Sequence, residues 1–114
     1  MVKEVSYVPD RGDIVWLDFD PQTGHEQKGN RPALALSPKA YNEKSGLCLF
    51  VPITSKIKGY PFEIEIKTEK ISGVALSDQI KSLDYKSRNV KFCDKLDDKT
   101  YDEIVEIAGL LIKG

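Results

Sequence analysis

Two polar stretches hold the residues whose types and spacing could do chemistry. Asp20–Arg31 carries His25, Glu26, Lys28 and Arg31, and Pro52–Pro61 carries Thr54, Lys56, Lys58 and Tyr60. Each stretch emerges from an apolar run, so Arg31-Pro32 and Pro52-Ile53-Thr54-Ser55 fall at strand ends, where a side chain is positioned yet meets solvent. An arginine there offers a planar, permanently charged fork that suits phosphate oxygens. The plainer reading is a strand-end arginine paired with Asp18, Asp20 or Glu26. Thr54 read alone is a turn residue after Pro52, and Glu26 a solvated loop carboxylate. His25 is the only histidine, and its reference pKa suits acid–base work, although the plainer reading, a loop residue, is favoured. Lys56, Lys58, Tyr60 and Phe62 interleave charge with rings, as single-stranded RNA binders do; the alternative tucks both rings into the core. Asp18 and Asp20 share one side of a strand, but a single carboxylate pair is a weak Mg²⁺ signal. One histidine and two distant cysteines make a poor zinc set. No metal and no cofactor is expected.

The elements that must position these residues are short. Ile14–Phe19 reads as a first strand, and Ala33–Leu36 as a strand buried on both faces. Ser37-Pro38 has the form of an N-cap and first helical position, opening a short helix that Gly46 ends. Leu47–Val51 is a second doubly buried strand, stopped by Pro52. Phe62–Ile66 alternates with Phe62, Ile64 and Ile66 on one face, and further strands are expected at Gly73–Gln79, Ile80–Tyr85 and Arg88–Cys93. Tyr101, Ile104, Val105, Ala108, Leu111 and Ile112 recur at helical spacing. Thr100 with Glu103 matches a capping box for that helix, with Asp97 or Asp98 as competing caps. Many short strands and one terminal amphipathic helix predict a mainly β (α+β) fold, a small curved β-barrel with the helix packed on it.

The 114 residues fit one domain, 1–114, without repeats or linker composition. A net charge of −1 argues against a general nucleic-acid coat. The acidity is concentrated at the end, where residues 94–114 hold six Asp/Glu against three Lys. A locally basic groove for RNA is compatible with that distribution. Cys48 and Cys93 lie in apolar or alternating runs and read as reduced, buried thiols. No signal peptide and no membrane span is visible, so a cytoplasmic location is expected.

Several ordered motifs are similar to the MazF/PemK family of toxin endoribonucleases. They are Gly12-Asp13-Ile14-Val15-Trp16-Leu17-Asp18-Phe19-Asp20-Pro21, then Gly24, Glu26-Gln27 and Gly29, then Arg31-Pro32-Ala33-Leu34, then Pro52-Ile53-Thr54, and Gly73 through Lys81. Lys58-Gly59-Tyr60-Pro61-Phe62-Glu63 resembles the MazF branch in particular, and the likeness runs from about Tyr7 to Arg88. The resemblance implies an SH3-like barrel, a homodimer, and metal-independent, sequence-specific cleavage of single-stranded RNA. In that reaction the ribose 2′-hydroxyl attacks the adjacent phosphate, leaving 2′,3′-cyclic phosphate and 5′-hydroxyl ends. Arg31 matches the family's arginine at the scissile phosphate, and Thr54 its active-site threonine. Glu26 would accept the 2′-hydroxyl proton or orient Arg31. Lys28, Lys56, Lys58, Tyr60, Gln79, Asp78 and His25 are the expected RNA contacts. One family branch uses an aspartate at Asp78 with an arginine two positions earlier; Leu76 stands there, so Asp78 is assigned RNA contact or loop support. The resemblance also implies a MazE-like antitoxin with an acidic, disordered tail. Two other readings compete: a CcdB-like gyrase inhibitor, whose Trp-Gly-Ile ending is absent from Leu111-Ile112-Lys113-Gly114, and a non-catalytic SH3-like binding module.

Overall fold

The computed structural model describes residues 6–19 and 29–114. Seven strands and two helices follow one another as β1 (Asp13–Asp18), β2 (Asn30–Ala35), α1 (Lys39–Ser45), β3 (Cys48–Thr54), β4 (Glu63–Lys67), β5 (Ser72–Leu76), β6 (Lys81–Leu83), β7 (Lys91–Lys95) and α2 (Asp98–Lys113). The strands form an antiparallel sheet in the order β4-β5-β3-β2-β1-β7, with β6 also paired to β3.

Alternation along the central strands sends side chains into two apolar layers. Ile14, Leu34, Val51 and Ile53 face one layer with Ile66, Cys93, Leu96 and Ile104. Val15, Leu17, Ala33, Ala35, Cys48 and Phe50 face the other, closed by Tyr85. Covered faces on both sides explain why β2 and β3 read as continuous apolar runs. Each fully buried large aliphatic contributes about 1.5–3 kcal/mol, so these strands form a rigid support for whatever projects from their ends. The β4–β5 turn folds over toward β7, where the Lys70 ammonium donates to the Cys93 carbonyl at 3.3 Å. The contact joins the two ends of the strand order, as a sheet curved into the half-barrel of a small SH3-like architecture requires. Both cysteines are free and buried.

Pro52 does not stop β3, which continues to Thr54. The Leu49 N–H and C=O both turn toward the β2 side, bonding to Ser37 Oγ and to the Leu36 N–H. By alternation Pro52 faces the opposite edge, where the partner changes from β6, paired as far as Phe50, to β5, paired from Ile53. A missing N–H costs least at such a switch. β5 stops at Leu76 because the chain turns there, with the Gln79 N–H bonded to the Leu76 carbonyl. β6 and β7 are likewise displaced from expectation, and residues 84–90 form turns between them.

Helix α1 has Pro38, not Ser37, at its N-cap. Ser37 Oγ is engaged with Asn42 Oδ1 at 2.6 Å, and Asp10 accepts the Lys39 N–H at 2.9 Å in its place. Gly46, at φ 77°, adopts the left-handed conformation that ends the helix. Of the candidate caps for α2, Asp97 serves: its carboxylate accepts from both Thr100 N and Thr100 Oγ1 at 2.9 Å. These bonds hold its pKa below the ordinary carboxylate value. Ile104 and Ala108 are buried and the Tyr101 hydroxyl donates to the Leu36 carbonyl, whereas Val105, Leu111 and Ile112 are exposed. The apolar stripe of α2 is therefore longer than the surface this chain covers.

Candidate active site

The strand ends flagged in the sequence meet. Arg31 enters from the start of β2 and Thr54 from the end of β3, and both line one cleft of about 320 Å³. Lys56, Lys58, Tyr60 and Gln79 line the same cleft. Asp78 is exposed but is not part of its lining. His25, Glu26 and Lys28 lie outside the described residues.

Three lining residues were not singled out by sequence reasoning: Phe19, Glu63 and Lys81. The Lys81 ammonium sits 5.8 Å from the centre of the Phe19 ring, a cation over an aromatic wall. The only sequence signal for Lys81 was a lysine inside a matched motif at the start of a short strand. Tyr60 and Phe62 stack with ring centres 5.1 Å apart. Tyr60 is half exposed at 51%, so one ring is available to a base while Phe62 supports it. Neither ring is tucked into the core: Phe62 is only partly buried and lines the cleft beside Tyr60.

Thr54 is held on two sides. Its Oγ1 accepts the Lys56 N–H at 3.1 Å, which leaves its own proton for a ligand oxygen. Gly73 on β5 lies against its backbone, and a Cβ at that glycine would come within 2.5 Å of the Thr54 carbonyl oxygen. The missing side chain is what permits β5 to lie this close to the end of β3.

The strand carrying Arg31 is fixed by a separate cluster. Leu17 pairs with Arg31 and Asp18 with Asn30 in the β1–β2 register. Arg88 donates from Nη1 to the carbonyls of Asp18 at 2.9 Å and Phe19 at 2.8 Å. Asp18, considered above as a partner for Arg31 or Mg²⁺, accepts instead from Asn89 Nδ2 at 3.0 Å and Asn30 Nδ2 at 3.2 Å. Those two amides, Asn89 first, hold the Asp18 carboxyl below its usual pKa. Among the described residues there is no group of three or more His, Cys, Asp or Glu arranged to hold a metal ion.

Residues 10–111 match the model of the PemK-like, MazF-like toxins of type II toxin–antitoxin systems. The chain belongs to this family. The match of this MazF-like toxin extends through most of α2, further than the motifs alone carry it. It is 55% identical over 82 residues to the endoribonuclease toxin MazF of Escherichia coli strain K12, covering 72% of this chain and 74% of that protein. The crystal structure of MazF from Deinococcus radiodurans superposes with a TM-score of 0.86 at 45% identity, covering 96% of this chain and all of that one. A MazE–MazF crystal structure from the same organism gives 0.83 at 41% identity, covering 94% and 97%. The gyrase-inhibitor and non-catalytic readings yield to this membership. No helix among the described residues is long and apolar enough to cross a membrane.

Proposed function

We propose that this endoribonuclease toxin cleaves single-stranded RNA in the cleft between Arg31 and Thr54, by attack of a ribose 2′-hydroxyl on the adjacent phosphate. The observation that carries the reading is the convergence on one cleft of Arg31, from the start of β2, with Thr54, Lys56 and Lys58, from the end of β3 and the segment after it. The reaction passes through a crowded, negatively charged phosphorane, and catalysis consists of stabilising that charge and moving two protons. The Arg31 fork bonds the phosphoryl oxygens as charge develops. Thr54, oriented by the Lys56 amide, donates to a further oxygen. Glu26 accepts the 2′-hydroxyl proton or orients Arg31; as the O2′–P bond forms, the P–O5′ bond breaks and the leaving 5′-oxygen takes up a proton from solvent water. Lys28, Lys56 and Lys58 neutralise neighbouring phosphates, Tyr60 stacks on a base, and Gln79 offers an amide to base edges. DNA lacks the nucleophile and is not cleaved this way.

The working protein is a cytoplasmic homodimer inhibited by an antitoxin whose acidic tail competes for the same cations. The MazE–MazF assembly from Deinococcus radiodurans supports such a partner. Binding of an uncleavable RNA analogue and the antitoxin tail at full affinity together would contradict competition, and sedimentation as a monomer at micromolar concentration would contradict the dimer. The chemistry is tested by cleaving a defined long RNA in excess EDTA and examining the new ends. Undiminished cleavage with 5′-hydroxyl and 2′,3′-cyclic phosphate ends is expected. Loss of activity that Mg²⁺ restores would overturn the metal-free mechanism.

A further inference from the structure

Among the described residues, the charged side chains lining the cleft are Arg31, Lys56, Lys58, Lys81 and one carboxylate, Glu63. A carboxylate in a cleft that receives phosphates opposes the ligand and diminishes the attraction of its neighbours. Its hydrogen bonds show what it does there. Glu63 Oε1 accepts the Gly59 N–H at 2.8 Å and the Lys58 N–H at 3.1 Å, and Oε2 lies 3.3 Å from the same Lys58 nitrogen. Gly59 stands at φ +85°, a conformation that L side chains rarely adopt, so these adjacent amides can turn toward a single anion. The Glu63 N–H donates back to the Tyr60 carbonyl at 3.0 Å and closes the turn. One side chain at the start of β4 thus fixes the segment that presents Lys56, Lys58 and Tyr60.

We propose that Glu63 is a positioning residue for RNA binding, a carboxylate clamp that holds residues 56–60 in their binding conformation despite the repulsion it adds. The inference rests on the RNA-cleft reading above and assigns Glu63 no part in proton transfer. Clamp and charge act with opposite sign, which makes them separable. Glu63→Gln removes the charge and keeps an oxygen that can accept an amide proton. Glu63→Ala removes both. A clamp predicts that Glu63→Ala raises KM for RNA about 10-fold, the scale of one or two charge-assisted bonds, with the loss in KM rather than kcat. Glu63→Gln should lie well below the alanine variant in KM, at or under the parent value.

The experiment compares parent, Glu63→Ala and Glu63→Gln on a fluorescent single-stranded oligoribonucleotide containing a mapped cleavage site. Amide hydrogen exchange at Lys58 and Gly59 is measured on the same proteins without RNA. Faster exchange at both amides in Glu63→Ala than in Glu63→Gln, together with the KM order above, supports the clamp. Unchanged exchange in Glu63→Ala, or a KM that falls in both variants, overturns it in favour of a carboxylate that only repels. Loss confined to kcat in both variants would also overturn it, by placing Glu63 in the chemistry. The exchange measurement needs no substrate, so the clamp is judged even if Arg31→Ala shows that cleavage occurs elsewhere.

Discussion

Two polar regions of this chain use the same kinds of atoms for opposite ends. Beneath α1, Asn42 donates from Nδ2 to the Pro9 carbonyl at 2.7 Å and the Ser37 carbonyl at 3.0 Å, while its Oδ1 receives the Ser37 hydroxyl. Ser37 Oγ in turn accepts the Leu49 N–H, and the Tyr85 hydroxyl donates to the Asn42 carbonyl at 3.0 Å. Every partner is internal, and Asn42 is fully buried. Burial there pushes the Cys48 thiol up to about 11, so it stays protonated and unreactive at neutral pH. At the cleft the internal bonds go to backbone: Lys56 N–H to Thr54, Lys58 and Gly59 N–H to Glu63. There the protein fixes the frame and leaves the exposed Lys56 and Lys58 side chains to solvent. A polar cluster that satisfies itself stabilises the fold; one that orders its backbone and presents its cations to water is built for a ligand.

Substitutions at the two regions should therefore separate activity from stability. The largest effect belongs to the cleft: Thr54→Ala should lower the cleavage rate about 10²-fold, the scale of one transition-state donor, with little change in urea midpoint. A folded Thr54→Ala protein cleaving at the parent rate would remove the hydroxyl from the mechanism. Asn42→Ala should do the reverse. It strands the Pro9 and Ser37 groups and should cost about 3 kcal/mol in urea unfolding, while the molecules that remain folded cleave RNA as the parent does. A midpoint unchanged by Asn42→Ala would show that the buried network is replaceable. Gly73→Ala lies between the two, because its new Cβ meets the Thr54 carbonyl. It should lower cleavage about 10-fold in the parent and leave a Thr54→Ala background almost unchanged. Equal losses in both backgrounds would mean that Gly73 acts on the fold and not through Thr54.

How much was legible beforehand differs between the same regions. The doubly apolar runs at Ala33–Leu36 and Leu47–Val51 announced buried strands because each strand carries both core layers itself. Asp97 was among the foreseen caps because a cap and its target are three residues apart. Pro52 was misread as a terminator since its tolerance depends on a change of partner strand that only the assembled sheet reveals. At the cleft, Arg31 and Thr54 were singled out by family resemblance, their types alone favouring an ion pair and a turn. Arg88 escaped notice because its bonds to Asp18 and Phe19 span 70 and 69 residues. Glu63 sat in a matched motif, yet nothing in the spacing showed that its carboxylate turns back to Lys58 and Gly59.

The most direct test of the proposed site is single-turnover cleavage of a defined RNA in excess EDTA by parent, Arg31→Ala and Arg31→Lys, each with an unchanged urea midpoint. The account predicts a loss of about 10²-fold or more in Arg31→Ala and incomplete recovery in Arg31→Lys, because a point charge cannot reproduce the two-pronged contact. Cleavage by folded Arg31→Ala at the parent rate would contradict it and place the chemistry outside this cleft.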